Sequence, residues 1–409
     1  MVINKYITNY FLFLFSIIPL SILLGSAISV GNIILIDLSF VVLIIYTKNF
    51  FFLKDRSIKY LLLLYIYLIF NSFISINFYE GVLRNFGFLR MIILFAAFNY
   101  FFIQSEFFKK VFKFWILTML ILLLDVFIES FTGQNILGYG DPTGRRILTF
   151  FKDEAIVGGY LNAFYLIIVG FLLNELKEKK FLFASFVIIL FILAIILTGE
   201  RSNSIKAILG LSFFLFFIKT LDLRIKLALI STIIVLIFFS LINSEYLKNR
   251  FINQIYVYLI RDNKENVYFR LYSSGFEVFK NNKIFGVGNK NYRVVSCNKE
   301  DDSKNKKVTK YFCNTHPHQI YLELLSEHGI VGIFMIFFIL YKLIFSKIMK
   351  TLNTNNYMKL GALIYMVFVF TPLLPSGAFF NNYLLTIFII NLSIFYASDR
   401  QLNIFNRSK

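Results

Sequence analysis

Apolar residues run along this chain in long blocks, each close to the length of a bilayer crossing, separated by short polar breaks. Stretches near the roughly 20 residues that a spanning helix needs fall at 9–26, 31–47, 59–77, 86–103, 111–130, 154–174, 181–198, 205–218, 227–243, 328–346, 358–375 and 379–397. The pattern predicts about twelve transmembrane helices. One connection breaks the rhythm. Residues 244–317 form a long polar segment, with an amphipathic helix expected at 269–280. The chain thus divides into membrane helices one to nine over 1–243, a long loop with amphipathic helices over 244–317, and membrane helices ten to twelve over 318–409.

Composition supports that division. Of 409 residues, 58% are hydrophobic and 16% charged, against roughly 45–50% and about 25% in soluble domains. The fold class is an all-α polytopic membrane protein. A formal charge of +19 would suggest nucleic acid in a soluble protein; here it orients helices, so no nucleic-acid partner is expected. With the N-terminus inside, the even-numbered connections carry Lys48, Lys54, Arg56 and Lys59, then Lys109, Lys110 and Lys113, then Lys177, Lys179 and Lys180. The series continues with Lys219, Arg224 and Lys226, with Lys342, Lys347, Lys350 and Lys359, and with a tail holding Arg400, Arg407 and Lys409. Outward connections 27–30 and 372–378 carry no charge. Both termini are expected in the cytoplasm and the long loop on the far side. Lys5 before the first apolar run resembles a signal peptide start; keeping that run as a span gives the consistent topology.

Cys297 and Cys313, the chain's two cysteines, both lie in the long loop with fifteen residues between them. An oxidising compartment favours a disulfide that pins the Lys-rich hairpin 298–312; the alternative is two thiols that never meet. The cations on the outward side need a reason, because positive charge is disfavoured there. Arg201, in LTGERSNSIK (197–206), sits between two apolar spans. It either pairs with Glu200, snorkels, or serves an anion site. Arg145, Arg146 and Lys152 in DPTGRRILTFFKDEA (141–155) stand just before span six. Arg270 opens the amphipathic helix and precedes a Gly286-Val287-Gly288 turn, where glycine lets backbone approach a ligand or a helix. That turn alone is a weak phosphate-loop signal.

All three histidines lie in THPHQIYLELLSEHGIVG, residues 315–332. Pro317 favours a helix starting around Pro317–His318. His318 then falls in the first turn, where the helix dipole favours the neutral imidazole of a general base. Positions 318, 322, 325, 329 and 332 share a face, and Gly329 and Gly332 permit close packing. A zinc site would draw on His316, His318, His328 and Glu323 or Glu327. On a continuous helix His318 and His328 stand about 15 Å apart, too far for one ion, so no metal is expected. The remaining alternative is a set of buried interface histidines.

These segments together resemble the O-antigen ligase and O-antigen polymerase superfamily. His318-Gln319, nine residues, Gly329, two residues, Gly332 is similar to its H-[N/S/Q]-x9-G-x-x-G signature. LTGERSN resembles the family's Thr-Gly-x-Arg segment, Arg270 with IFGVGNKNY its loop arginine helix and glycine turn, and GRRILTFFKDEAIVGGYL its approach to the sixth span. The match covers at least 145–332, and the span layout extends it to most of the chain. The resemblance implies a GT-C-like membrane glycosyltransferase that needs neither metal nor cofactor. Its donor would be an undecaprenyl-diphosphate-linked oligosaccharide. Its acceptor would be a sugar hydroxyl on the lipid A core or on another lipid-linked repeat. It implies His318 as catalytic base, Arg201 and Arg270 as cations on the donor diphosphate, and Arg145 or Arg146 assisting. It further implies a site on the periplasmic face of a bacterial inner membrane, with membrane lipids as neighbours. His316 is an additional imidazole relative to the motif. A lipid-linked oligosaccharide flippase is the rival reading, which Arg90 inside span four favours unless it pairs with an acid such as Asp125. Such transporters often show internal repeats and midplane charge, whereas no repeat is seen and the cations gather at one face.

Overall fold

The computed structural model describes residues 5–141, 146–152, 154–175, 181–219, 221–260, 266–297 and 311–406. Among them there are helices and no strand. The first half holds α1 (Lys5–Ser16), α2 (Ile18–Leu23), α3 (Ser26–Thr47), α4 (Arg56–Phe73), α5 (Phe78–Phe86), α6 (Phe88–Phe101), α7 (Ser105–Thr132), α8 (Val157–Glu175) and α9 (Phe181–Leu197). Next come α10 (Arg201–Phe217), α11 (Leu223–Asn243), α12 (Glu245–Lys248), α13 (Gln254–Ile260), α14 (Val267–Asn281) and α15 (Tyr292–Ser296). The chain closes with α16 (Ile320–Leu343), α17 (Ile348–Leu352), α18 (Tyr357–Val369) and α19 (Asn382–Ala397).

The apolar stretches seen in the sequence are largely helical, the first of them, 9–26, being divided between α1 and α2. By length and composition, six of the described segments can cross a membrane: α3, α5 with α6, α7, α8, α11 and α16 continued to Leu352. Three shorter apolar helices, Leu182–Leu197, Tyr357–Val369 and Asn382–Ala397, lie beside them. The stretch expected at 358–375 ends early, at Val369. Pro372 and Pro375 follow, and a proline disfavours helical backbone in the residue before it. The expected amphipathic helix at 269–280 is α14.

The packing centre is α8, which α18 crosses at contact distance. A Cβ at Gly170 would strike the Tyr357 carbonyl, and one at Gly361 the Leu166 carbonyl. Small residues at a crossing let backbones touch, and in a bilayer that dispersion contact replaces the missing hydrophobic drive. Asn391 Nδ2 bonds the Ala163 carbonyl (3.1 Å), tying α19 to α8.

Helix α16 departs from the sequence expectation in two ways. It starts at Ile320, because Gln319 is its cap: the side-chain oxygen accepts the Leu322 N–H at 2.8 Å. His318 therefore precedes the helix, in left-handed backbone (φ 53°), and is not in its first turn. The helix is also not continuous. Gly329 sits at φ 64°, ψ −168°, a region that only glycine enters cheaply. The break releases backbone groups, and the glycine turn of the loop supplies partners for them. Val287 and Gly288 N–H donate to the carbonyls of Ser326 and Glu327 (both 2.9 Å), while Ile330 and Val331 N–H donate to Lys283 (2.9 Å) and Ile284 (3.1 Å). A Cβ at Gly286 or Gly329 would collide with that partner backbone. The Gly-Val-Gly turn thus approaches a helix, which is one of the two uses that its glycines suggested. Gly329→Ala is expected to destabilise the protein by about 1–3 kcal/mol, read as a lowered midpoint in a thermal melt of the detergent-solubilised chain.

Candidate active site

The turn after α9 anchors the first group of side chains. Gly199 has φ 69°, and a Cβ there would strike the Tyr246 hydroxyl. Tyr246 itself donates to the Thr198 carbonyl at 3.0 Å. Arg250 clamps the same turn, its Nε and Nη2 donating to the Gly199 carbonyl at 3.3 and 3.1 Å. Glu200 accepts the Gly158 N–H (2.7 Å), the Gly159 N–H (3.2 Å) and the Asn203 amide (2.7 Å). It caps the N-terminus of α8, where a carboxylate meets unsatisfied N–H groups and the positive end of the dipole. Arg201 then opens α10.

A second set arrives with the segment before α16. Pro317 is buried against Gly275 of α14, and the rings of His316 and His318 lie 4.1 Å apart between centroids. The His318 carbonyl accepts the Ser376 N–H at 2.9 Å. Glu323 holds the neighbouring Phe379 N–H (3.0 Å), which fixes the 370–381 crossing segment over the histidines.

Both sets face one cavity of about 420 Å³, lined among others by Arg146, Arg201, Lys206, Arg250, Tyr268, His316, His318 and Ser376. Four cations meet two acids there, Glu154 and Glu200. Cations thus outnumber acids in the cavity lining among the described residues. Burial lowers the Arg250 pKa, with the charges of Arg146 and Arg201 adding to the effect. Arg250 thus feels the charges of the other two guanidiniums. Burial also pushes His316 down to about 4, helped by His318, and pushes His318 below its ordinary value. Both rings are neutral at pH 7. Near-neutral bases are what proton abstraction from a hydroxyl requires.

Of the residues singled out in the sequence, His318, Arg201 and Arg146 meet in this cavity, joined by His316. Arg145 lies outside the described residues, as do Lys177, Lys179, Lys180, Arg407, Lys409 and residues 298–310 of the Lys-rich hairpin. Arg270 does not line the cavity: its guanidinium lies 4.2 Å over the Phe312 ring. His328 is fully buried elsewhere, with its Nδ1 3.3 Å from the Tyr67 hydroxyl. Arg90 donates to Asn382 (2.7 Å), and the acid whose charge it feels is Asp37. Asp125 instead accepts the Ile136 N–H at 2.8 Å.

Sequence reasoning missed Arg250 and Lys206. Arg250 was one cation among many in a polar loop and had no signal. Lys206 did have one, an ionisable residue inside an apolar span. It is only 8% exposed, yet it lines the cavity. Among the described residues no group of three or more His, Cys, Asp or Glu side chains could hold a metal ion. Cys297 and Cys313 are joined in a disulfide, with Cα atoms 4.4 Å apart. Intact cells treated with a membrane-impermeant thiol label are expected to show both cysteines unlabelled until a reductant is added. Labelling without reductant counts against the bridge, and none after reduction counts against the outward placement.

The structure is a helical bundle with apolar helices long enough to cross a membrane and a cation-lined cavity that also holds two imidazoles. Residues 184–337 match the family model described as O-antigen ligase. Over that domain the chain is similar to the O-antigen ligase family, which supports the resemblance to the ligase and polymerase superfamily. No curated protein matches the chain.

Proposed function

We propose that the chain transfers an undecaprenyl-diphosphate-linked glycan to a sugar hydroxyl, at the periplasmic face of a bacterial inner membrane, in surface polysaccharide assembly. The observation carrying this reading is the convergence of His318, Arg201 and Arg250, all within the matched residues 184–337, with Arg146 on one cavity. His318 accepts the proton of the acceptor hydroxyl as its oxygen attacks the anomeric carbon. The bond from that carbon to the diphosphate oxygen breaks, and the sugar inverts. Negative charge grows on the leaving diphosphate, where the guanidiniums offer paired N–H donors in the fork that a phosphate fits. Lys206, deeper along α10, takes the phosphate nearer the lipid. The acceptor is lipid A core for a ligase and a second lipid-linked repeat for a polymerase.

The topology belongs to the same proposal: about twelve spans, both termini cytoplasmic, and segment 244–317 outside. The lysine asymmetry supports it. Deleting the gene and running surface glycans on a gel tests the function. Long glycan absent from lipid A but still built on the carrier marks a ligase, and capping by single repeats marks a polymerase. Glycan trapped on the carrier at the cytoplasmic face marks the transporter, and an unchanged pattern overturns the proposal.

A further inference from the structure

His316 is the imidazole that the family motif does not call for, and the residues before it fix what its ring can do. Asn314 Oδ1 accepts the Thr315 N–H at 2.6 Å and the Thr315 hydroxyl proton at 3.3 Å. A hydroxyl has one proton. Thr315 Oγ1 therefore meets His316 Nδ1, 3.0 Å away, with a lone pair. Nδ1 carries the ring proton, and Nε2 is left as an acceptor. Burial holds the ring neutral, with its pKa pushed down to about 4, so the acceptor persists at pH 7.

That Nε2 atom is buried and, among the described residues, has no hydrogen-bond partner. Ser376 Oγ is buried and unpartnered in the same way. The two residues are neighbours. Ser376 N–H donates to the His318 carbonyl at 2.9 Å, and the Ser376 backbone lies beside the His316 ring without forming a hydrogen bond to Nε2. Both residues line the cavity with His318. Buried polar atoms are nearly always hydrogen-bonded in folded proteins, so two exceptions side by side in a cavity call for a ligand.

The pair offers an acceptor nitrogen and a hydroxyl that can donate. A sugar hydroxyl complements both, donating to Nε2 and accepting from Ser376. An ionised phosphate oxygen has no proton for Nε2, and an acyl chain satisfies neither atom. The His316 and His318 rings stand 4.1 Å apart between centroids, so a hydroxyl held by His316 is a near neighbour of the one whose proton His318 takes. Adjacent hydroxyls of one sugar ring meet that requirement. Resting on the transfer reaction proposed above, we infer that His316 Nε2 and Ser376 Oγ bind a second hydroxyl of the acceptor sugar, beside the one that attacks. The extra imidazole then recognises the acceptor, while proton transfer stays with His318. A site built to bond a hydroxyl discriminates strongly against a sugar that lacks it.

The test uses the full chain in neutral detergent, with lipid A core and lipid-linked repeat extracted from a strain lacking the gene. Transfer is measured with acceptor varied at fixed donor, then with donor varied at fixed acceptor. Ser376→Ala keeps the N–H that holds His318 and removes a hydroxyl that bonds nothing in the protein. Its melting midpoint without lipid should therefore not fall below the parent's. Its KM for acceptor should nonetheless rise about fivefold, the scale of one neutral hydrogen bond, and the loss should fall on KM rather than kcat. His316→Ala should raise the same KM by a similar factor. Unchanged acceptor KM in both variants overturns the subsite, and a rise in the donor KM instead overturns the acceptor as its occupant. Acceptor alone should also raise the parent's melting midpoint, with Ser376→Ala needing about fivefold more for the same shift. A parent chain that shows this shift without transfer loses the proposed reaction and keeps the subsite. A parent that shows neither loses both.

Discussion

His318→Ala is expected to cut glycan transfer roughly 10²–10⁴-fold while the protein stays in the membrane at its normal level. The loss follows from removing the proton acceptor and leaving the guanidinium cluster intact. Because His318 occupies left-handed backbone (φ 53°), His318→Asn is the cleaner partner variant: asparagine tolerates that conformation but supplies no base. His316→Ala should keep substantial activity, since its ring stacks beside His318 without matching the family motif. His328→Ala should also retain transfer, because its buried ring belongs to the Tyr67 contact. Rates against pH provide a second readout. The acceptor must be unprotonated, and burial lowers the His318 pKa. Activity is therefore present above that lowered value and lost as pH falls through it. The acid limb should lie below pH 6.5, the ordinary histidine value. A limb at or above that value, or an inactive His316→Ala beside an active His318→Ala, moves the base to another group.

The helices were legible because bilayer length and apolar composition leave few alternatives. The site was legible where its residues stood out against that background: three histidines in one segment, and Arg201 between apolar spans. Two features lay beyond local pattern. The start of α16 depends on Gln319, whose side chain reaches the Leu322 N–H; Pro317 two residues earlier was the stronger signal and pointed to an earlier start. The break at Gly329 depends on carbonyl and N–H groups from residues 283–288, which a helical wheel does not contain. The Thr-Gly-x-Arg glycine shows the converse. Its conformation was guessable, but its need for space under the Tyr246 hydroxyl required the tertiary fold. Arg250 and Arg270 differ in the same way. Both are loop cations in the sequence, and only folding sends one to the Gly199 carbonyl and the other onto Phe312.

That separation of arginines sets the second large effect. Arg201→Lys is expected to lower transfer roughly 10²–10³-fold, the scale of removing one charge-stabilising donor. An ammonium keeps the charge but cannot place two parallel N–H groups on a phosphate. Arg250→Lys should fall at least as far, because it also releases the Gly199 carbonyl and with it the turn that aims Arg201. Lys206→Met should chiefly weaken the apparent affinity for the lipid-linked donor, leaving the acceptor's KM unchanged. Its side chain is buried on α10 and lines the cavity, so methionine keeps an apolar stem of similar length and removes the charge. Arg270→Lys is the discriminating control. The family resemblance implies a loss matching Arg201→Lys, whereas a guanidinium stacked over Phe312 outside the cavity implies a loss of less than about tenfold, the cost of an exposed cation–π contact. A full loss at Arg270 with unchanged activity in Arg250→Lys would show that α14 turns its arginine into the cavity when donor binds, and that Arg250 is only a scaffold for the turn.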